Sequence, residues 1–390
     1  MDKQSHGGSL DSTTVFADDR WSPRLLHPLM GADPQTLFQV LRRNGGVNSR
    51  CLPHIALAIA TCLARQPISA IESWRMARLR QRVPEMAPPI FIVGHWRSGT
   101  TFLYELLCQS PQFNYVSPFA TGIPWDFLTV TQYFQPLLEK LLPKDRFIDQ
   151  VQVTAQSPQE DEIALASMQP LSFYHGLYFP THLQENLATG LFLEGCSEAE
   201  VDRWEQAITL FLKKLHIQKP QGQLLIKNPV YTGRVKQLRS LFPTAKFIHI
   251  YRNPYVVFQS TRNFYVKLFR ELALQSTAHL SMDAIDTLIF QCYTRMMTAL
   301  QQDVADLPTD QFVELQFETF EQDPVAHVQT IYQQLEIPGF EMAQTGFEQY
   351  VRDRRTYRKN KYTFPKADNQ KVYDHWQPFI DQWGYGPPEV

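Results

Sequence analysis

The chain is organised around the stretch IFIVGHWRSGTTFLYELL, residues 90–107. Residues 90–93 are a short apolar run, typical of a strand buried on both faces of a parallel sheet, although periodicity alone also allows a buried piece of helix. The spacing G-x-x-x-x-G of a phosphate-binding loop follows, and residues 102–107 predict a helix. This order predicts an anion site, because successive N–H groups form a concavity and the helix N-terminus adds about half a positive charge.

The loop differs from that of nucleotide kinases in the position of its cation. A kinase loop has lysine at the seventh place, whereas this chain has Thr100 there and Arg97 inside the loop. The clearest later strand is followed by Arg252 rather than by an acid that would hold magnesium. These differences disfavour metal-dependent phosphoryl transfer and predict no metal site. A kinase with an unusual cation and a chance recurrence of two glycines remain as alternatives.

Three further runs predict strands, at Leu224–Ile226, Lys246–Tyr251 and, more weakly, Phe312–Leu315. A capping box of Ser197 and Glu200 opens an amphipathic helix between them. Asn253 and Asp323 each precede a proline, which suits the first position of a helix. Strands that alternate with helices predict an α/β fold, namely a P-loop-like parallel sheet flanked by helices on both faces.

The chain before this sheet predicts a separate unit. Residues 1–20 have the pattern of a loose tail, helical patterns follow in the 30s and over about 53–82, and the prolines of VPEMAPP, residues 83–89, end them. We therefore predict a tail and helical extension over residues 1–85. An α/β domain over residues 86–390 would contain a helical insertion for the acceptor at about residues 112–215.

Composition limits the partners and the compartment. The 390 residues carry 37 Lys and Arg against 39 Asp and Glu, so the net charge of -2 provides no overall field for a nucleic-acid polymer or an anionic membrane, and any anion site must be local. Five scattered cysteines without a C-x-x-C pattern indicate neither a disulfide framework nor a zinc site. The polar N-terminus lacks the layout of a signal peptide, and no run of roughly 18 apolar residues stands out. We expect a cytoplasmic protein without a transmembrane segment.

A second anion motif lies far from the first. Arg252 follows the strand Lys246–Tyr251 and precedes a helix start. The carboxyl ends of parallel strands are where open α/β sheets bind ligands, and a guanidinium suits a phosphate dianion. A structural ion pair of Arg252 is the alternative. Two separate anion sites favour a nucleotide that is phosphorylated at both ends of its ribose.

The two motifs resemble those of the sulfotransferases, which take a sulfuryl group from 3′-phosphoadenosine-5′-phosphosulfate (PAPS) and leave 3′-phosphoadenosine-5′-phosphate (PAP). GHWRSGTTFL, residues 94–103, is similar to their 5′-phosphosulfate loop, and the second motif is similar to their 3′-phosphate motif. The resemblance implies that the 5′-phosphosulfate is held by Arg97, Ser98, Gly99, Thr100 and Thr101. It implies that Arg252 and Ser260 hold the 3′-phosphate. Within the basic segment 352–371, Arg358 and Lys359 are candidates for a loop that closes over this phosphate, unless the segment is simply a solvated surface.

Sulfuryl transfer requires cations for the leaving group and the sulfuryl oxygens, and a base for the proton of the acceptor. Arg97 is the first candidate cation, and Lys227, which resembles the family's Lys-x-Pro element, is the second. Ser157, Pro158 and the acids that follow predict the first turn of a helix. A similar acid run in bacterial relatives makes Glu160 and Glu162 the candidate bases. His95 and His249 are weaker candidates.

The acceptor is less defined. Aromatic residues on both sides of the acid run either fill a core or line an apolar pocket, and they are Phe113, Tyr115, Phe119, Trp125, Phe127, Tyr133, Phe134, Phe173, Tyr174, Tyr178 and Phe179. The resemblance to a bacterial sulfotransferase implies an acceptor hydroxyl on a small molecule, a lipid or a carbohydrate. Phe317 stands where relatives often have tyrosine, and the oligomeric state stays open. A non-catalytic nucleotide-binding protein is a third possibility.

Overall fold

The computed structural model describes residue 23 and residues 26–79, 84–139, 154–354 and 362–388. Within these ranges five parallel strands form one sheet in the order β2-β3-β1-β4-β5. The strands are β1 (Ile90–Val93), β2 (Phe113–Asn114), β3 (Gln223–Lys227), β4 (Lys246–Tyr251) and β5 (Phe312–Gln316). The four strand predictions are confirmed. The two-residue strand β2 was not predicted, since two residues show no periodicity.

The strand register brings the two anion motifs to the same end of the sheet. Ile92 of β1 pairs with Lys227 of β3 on one side and with Ile248 of β4 on the other. The loop after β1, the end of β3 and Arg252 after β4 therefore all lie at the carboxyl edge of the sheet. A sheet of this kind binds ligands at that edge.

Sixteen α-helices occur in the described residues. They are α1 (Pro34–Arg43), α2 (Leu52–Leu79), α3 (Thr100–Leu107), α4 (Pro118–Gly122), α5 (Phe127–Glu139), α6 (Glu162–Leu165), α7 (Phe173–Tyr178), α8 (Leu183–Phe192), α9 (Glu198–Gln218), α10 (Val235–Leu241), α11 (Pro254–Leu272), α12 (Met282–Val304), α13 (Phe317–Gln322), α14 (Pro324–Gln334), α15 (Phe340–Asp353) and α16 (Lys366–Gln382). The capping box predicted at the start of α9 is present.

Helices cover both faces of the sheet, because β1 is apolar on both sides. Phe91 and Val93 belong to a core that includes Trp204 of α9. Ile90 and Ile92 belong to a second core on the opposite face, which includes Leu106 of α3. A third core joins α1 and α2 to the helices α7, α8, α11, α12 and α16. This arrangement confirms the predicted α/β fold and its N-terminal helical region.

The predicted helix start at Ser157 is wrong. Helix α6 begins at Glu162, and the Ser157 hydroxyl accepts the Thr154 N–H at 2.9 Å instead of capping a helix. The Gln159 N–H donates to the Val116 carbonyl at 2.9 Å, so this segment is tied to the chain after β2. A tertiary hydrogen bond therefore replaces the helical one that the local pattern predicts.

Most of the aromatic residues around the acid run fill cores. Fully or nearly buried among them are Phe113, Phe119, Phe127, Phe173, Tyr174, Tyr178 and Phe179. Tyr133 and Phe134 of α5 are exposed instead. Core filling thus accounts for most of the set.

One stretch of the described chain, Ser49–Leu79, is long and apolar enough to cross a membrane by length and composition. No such run is predicted from the sequence, because alanines and scattered polar residues dilute its apolar character. One such helix is weak evidence for a membrane span. All five cysteines are free thiols.

Candidate active site

The loop after β1 has a backbone that two glycines make possible. Gly94 has a φ of +140° and Gly99 a φ of +102°, values that side-chain-bearing residues rarely adopt. A Cβ on Gly94 would lie 2.4 Å from the Ile250 carbonyl oxygen, and one on Gly99 would lie 2.1 Å from the Phe317 ring. The loop therefore lies directly against β4 and the start of α13. The first turn of α3 follows it, and the N–H groups of such a turn lack partners within their helix.

Arg97 connects the two anion motifs. Its Nε donates to the Ser260 hydroxyl at 2.8 Å, and its carbonyl accepts a hydrogen bond from Nη1 of Arg252 at 3.3 Å. Arg97 also has a φ of +72°, which is uncommon outside glycine and is typical of functional sites when the surroundings enforce it. Two motifs that lie 155 residues apart in the chain thus form one cationic site.

Arg252 retains an unused donor. Its Nε is buried and has no hydrogen-bond partner within the described chain. Its guanidinium lies over the Phe317 ring at 4.4 Å from the centroid. Burial lowers the pKa of Arg252, and the nearby carboxylate of Glu318 opposes this shift. A partly buried guanidinium whose Nε–H group lacks a partner fits a phosphate oxygen, which would satisfy that donor.

Lys227 ends β3 beside the loop. Its Nζ lies 3.5 Å from the Thr101 hydroxyl and forms an ion pair with Glu160. The side chain of Lys227 is only 5% exposed and that of Glu160 is 18% exposed, so the pair is mostly screened from water. A cation and a carboxylate thus meet at the helix start where the loop ends.

Glu162 lies apart from this pair, in the core. Its carboxylate accepts hydrogen bonds from the Ser172 hydroxyl at 2.7 Å and the Asn228 amide at 3.1 Å, and the residue is fully buried. Burial raises the pKa of Glu162, while Arg234 opposes the shift. Of the two candidate bases, only Glu160 contacts Lys227.

Asp161 connects the acid run to the end of β3. Its carboxyl oxygens accept hydrogen bonds from the Tyr231 hydroxyl and from the Asn228 amide, the latter at 2.9 Å. Asp161 is fully buried, and burial raises its pKa to about 8. Because Asn228 directly follows Lys227, these contacts fix Glu160 and Lys227 relative to each other.

The buried Asp161 predicts a pH-dependent stability. The carboxyl titrates at about 8 when folded and near 3.8 when unfolded, so the folded state holds an extra proton between these values. As the pH rises from about 4 to about 8, the free energy of unfolding of the parent protein should fall by up to ~1.4 kcal/mol per pH unit. The Asp161→Asn variant lacks this carboxyl, so the free energy of unfolding of the parent should fall relative to that of the variant. Urea unfolding of both proteins near pH 5 and near pH 7 measures this difference. A difference that does not change with pH would contradict the prediction.

Within the described part of the chain, neither candidate histidine forms a hydrogen bond with Lys227 or Glu160. His95 is buried, its Nδ1 lies 2.9 Å from the Trp96 carbonyl oxygen, and burial lowers its pKa to about 4. His249 is 1% exposed, and its Nδ1 lies 2.8 Å from Glu314. Both are packed side chains in the structure, which leaves Glu160 as the better candidate base.

Two contacts of the site were missed by sequence reasoning. The Thr232 hydroxyl accepts the Gly94 N–H at 2.8 Å, which fixes the start of the loop. The Tyr362 hydroxyl lies 2.8 Å from the Ser260 hydroxyl. Tyr362 lies inside the basic segment 352–371, which was selected for its charge. An aromatic residue within that segment was the signal that could have identified this contact. Thr232 had none, since nothing local links it to Gly94.

The basic segment 352–371 is only partly described. Arg358 and Lys359 lie outside the described residues, so their role remains a prediction. Arg354 of the same segment pairs with Glu105 of α3 at 2.6 Å. At least one charge of the segment is thus used to attach α15 to α3.

Comparisons with known proteins agree with this geometry. The profile of the sulfotransferase family matches residues 88–342. Omega-hydroxy-beta-dihydromenaquinone-9 sulfotransferase Stf3 of Mycobacterium bovis is 32% identical over 320 residues, which cover 81% of each chain. The protein of that name from Mycobacterium tuberculosis has the same identity and coverage.

Solved structures show the same fold. The sulfotransferase STF9 of Mycobacterium avium aligns with a TM-score of 0.67 at 16% identity, over 90% of this chain and 96% of that one. The sulfotransferase STF1 of Mycobacterium tuberculosis aligns with a TM-score of 0.60 at 15% identity, over 88% and 90%. With the motifs joined at one edge of the sheet and the profile matched over most of the chain, this protein belongs to the sulfotransferase family.

Proposed function

We propose that this chain is a PAPS-dependent O-sulfotransferase that transfers the sulfuryl group to a hydroxyl by in-line displacement. The observation that supports this most is the contact of Arg97 with both Ser260 and Arg252. A nucleotide with phosphates on both its 5′ and 3′ oxygens presents two anions to such a site. A single-anion site would not require the two motifs to meet.

The residues present fit PAPS as donor. The buried Nε of Arg252 lacks a partner that a 3′-phosphate oxygen could supply. The first turn of α3, which follows Gly99, has N–H groups without partners in the helix, and these suit a 5′-phosphosulfate. PAPS, when bound, supplies the sulfuryl group and leaves as PAP. The loop lacks a kinase lysine, and the neighbouring strands β3 and β4 lead into Lys227 and Arg252 rather than into an acid. These features favour sulfuryl transfer over a kinase reaction.

Each side chain of the site has one task in this proposal. Arg97 neutralises negative charge that develops on the leaving group, and Lys227 binds the sulfuryl oxygens, held in place by Thr101. Glu160 accepts the proton of the acceptor hydroxyl, which makes that oxygen a better nucleophile. Asp161 and Asn228 position Glu160 and Lys227 relative to each other through their buried hydrogen bond.

We propose a lipid-like alcohol as acceptor. The support is the relative whose name specifies an omega-hydroxylated menaquinone derivative, an apolar molecule with a terminal hydroxyl. Transfer assays with labelled donor on hydroxylated prenyl quinones, hydroxylated fatty acids and sugars distinguish the acceptor classes.

The donor is tested by thermal unfolding with ligands. PAP at a hundredfold excess over its dissociation constant should stabilise the protein by about 2.7 kcal/mol, whereas ATP with magnesium should not. Arg252→Ala should lose much of this protection, since a hydrogen bond to a charged group contributes about 1.5–3 kcal/mol. Equal protection by ATP would favour the kinase alternative. Protection by PAP without transfer to any acceptor would favour a non-catalytic protein.

Replacing the two candidate bases should have different consequences. Glu160→Gln should lower kcat by about 10²–10⁴-fold and leave protection by PAP unchanged, because the base acts only on the acceptor. Glu162→Gln should lower the free energy of unfolding, because it disturbs the hydrogen bonds of a buried carboxylate. The molecules of this variant that are folded should keep the kcat of the parent. Steady-state kinetics and urea unfolding of both variants provide the test. Loss of kcat in Glu162→Gln alone would reverse the assignment.

A further inference from the structure

Helix α2 exposes an apolar face along most of its length. Its large exposed apolar side chains are Leu52, Ile59, Leu63, Ile71 and Trp74, each at least 44% exposed. Between them the exposed positions on the same face are Ala56, Ala60, Ala64, Pro67 and Ala70. These residues recur at three- and four-residue intervals, which places them on one side of the helix. At about 1.5 Å per residue, this apolar face extends about 33 Å from residue 52 to residue 74.

The other side of α2 is attached to the protein by charged contacts. Arg65 pairs with the buried Asp126 at 2.9 Å, and the buried Glu72 pairs with Lys214 at 2.5 Å. A helix with two such ion pairs on one side does not cross a bilayer alone, because those charges would face hydrocarbon. The helix therefore lies on the surface of the folded protein and presents only its apolar face.

Charge identifies the surface that this face fits. Residues 34–79 contain a single acidic residue, the buried Glu72, and six arginines. Arg50 at the start of the apolar face and Arg78 at its end are both exposed. The Arg78 guanidinium lies over the Trp74 ring at 3.6 Å. Arginine and tryptophan beside an apolar helix face are typical of contact with anionic lipid headgroups.

We propose that the apolar face of α2, with Arg50 and Arg78 at its ends, docks this protein onto the surface of a bilayer that contains anionic lipids. The apolar side chains enter the boundary between headgroups and acyl chains, and the arginines contact phosphate groups. A second copy of the chain fits less well. If two copies paired through α2, whether parallel or antiparallel, Arg50 and Arg78 of one copy would lie beside arginines of the other. Residues 34–79 expose no acidic residue that could neutralise these like charges.

This proposal does not depend on the proposed function, because the surface and its charges are independent of the donor site. It is consistent with a lipid-like acceptor, since docking would place the protein on the membrane in which such a molecule resides. Vesicle binding needs neither donor nor acceptor. Failure of docking and failure of sulfuryl transfer are therefore measured separately.

The test is cosedimentation of the full chain with vesicles. Vesicles of phosphatidylcholine with about one third phosphatidylglycerol should bind it, and vesicles of phosphatidylcholine alone should bind it more weakly, because about 1 kcal/mol per surface arginine is lost. Leu63→Glu should weaken partitioning at least about tenfold, which corresponds to about 1.4 kcal/mol. Met342→Glu is the matched control, since Met342 is 80% exposed on α15, which packs against α3 and α14. It should bind like the parent.

The charged ends are tested by Arg50→Glu combined with Arg78→Glu. This variant should lose the preference for anionic vesicles while Leu63 still supports weak binding to neutral ones. Thermal unfolding of each variant confirms that the fold is retained. Absence of binding by the parent, or equal binding by Leu63→Glu, would overturn the proposal. So would a dimer in analytical ultracentrifugation that Leu63→Glu converts to monomers, because the face would then be an interface between copies.

Discussion

Arg97→Ala should lower kcat by about 10²–10³-fold, the effect of removing one donor that stabilises charge in a transition state. Arg97 is the side chain that contacts the second anion motif through Ser260, while its backbone carbonyl holds Arg252. The alanine variant keeps the carbonyl and loses the guanidinium, so charge stabilisation is removed and the loop backbone keeps its hydrogen bond. Single-turnover kinetics with saturating donor measures the effect on chemistry.

Arg270→Ala provides a matched control. Arg270 is an exposed arginine in the last turn of α11, the same helix that carries Ser260 near its start. The Arg270→Ala variant loses the same charge as Arg97→Ala but keeps every contact of the candidate site. Its kcat should therefore equal that of the parent. Circular dichroism should show the same helix content in all three proteins. Parental turnover in Arg97→Ala would exclude Arg97 from the mechanism.

Gly99→Ala should lower both stability and donor binding. An alanine at a φ of +102° is strained by about 1–3 kcal/mol, and its Cβ would lie 2.1 Å from the Phe317 ring. Relief of the clash displaces either the loop or Phe317, which stacks under the Arg252 guanidinium. Overpacking adds about 1–3 kcal/mol, so the total loss of unfolding free energy should be several kcal/mol. Urea unfolding measures this loss, and protection by PAP should be largely lost.

A control and a partial rescue separate the two causes. Gly122 has no atom within 4 Å of a built Cβ and ends α4, so Gly122→Ala should be neutral or slightly stabilising. Phe317→Ala combined with Gly99→Ala removes the clash and leaves the backbone strain. The double variant should therefore lose less stability than the sum of the two single variants. Additive losses would show that Gly99 and Phe317 do not act together.

Local patterns in the sequence were reliable for separate elements. Residues 90–93 are an apolar run and residues 246–251 are mostly apolar, and both form buried strands, so these two strand predictions needed no distant information. Asn253 and Asp323 cap α11 and α14 as their positions before proline predict. Such signals are strong because the caps and the burial pattern involve residues close in the chain.

Local patterns failed where a distant partner competes with them. Ser157 and Glu160 have the spacing of a capping box, yet Glu160 pairs with Lys227 and the helix begins at Glu162. An ion pair with a residue 67 positions away replaces the local contact. The same reason explains why Thr232 and Tyr362 were missed, since each contacts the loop motifs only through folding.

The amino-acid sequence alone was sufficient to predict the parallel sheet, the position of the glycine loop after β1 and the position of Arg252 after β4, because each depends on residue types at short spacing. Folding was required to bring Arg97 within hydrogen-bond distance of Ser260 and to bury Glu162 while Glu160 stays at the carboxyl edge. The physical reason is that strands β3 and β4 pair on either side of β1. Contacts between residues over a hundred positions apart follow from that pairing, and desolvation of a particular carboxylate follows from the packing around it.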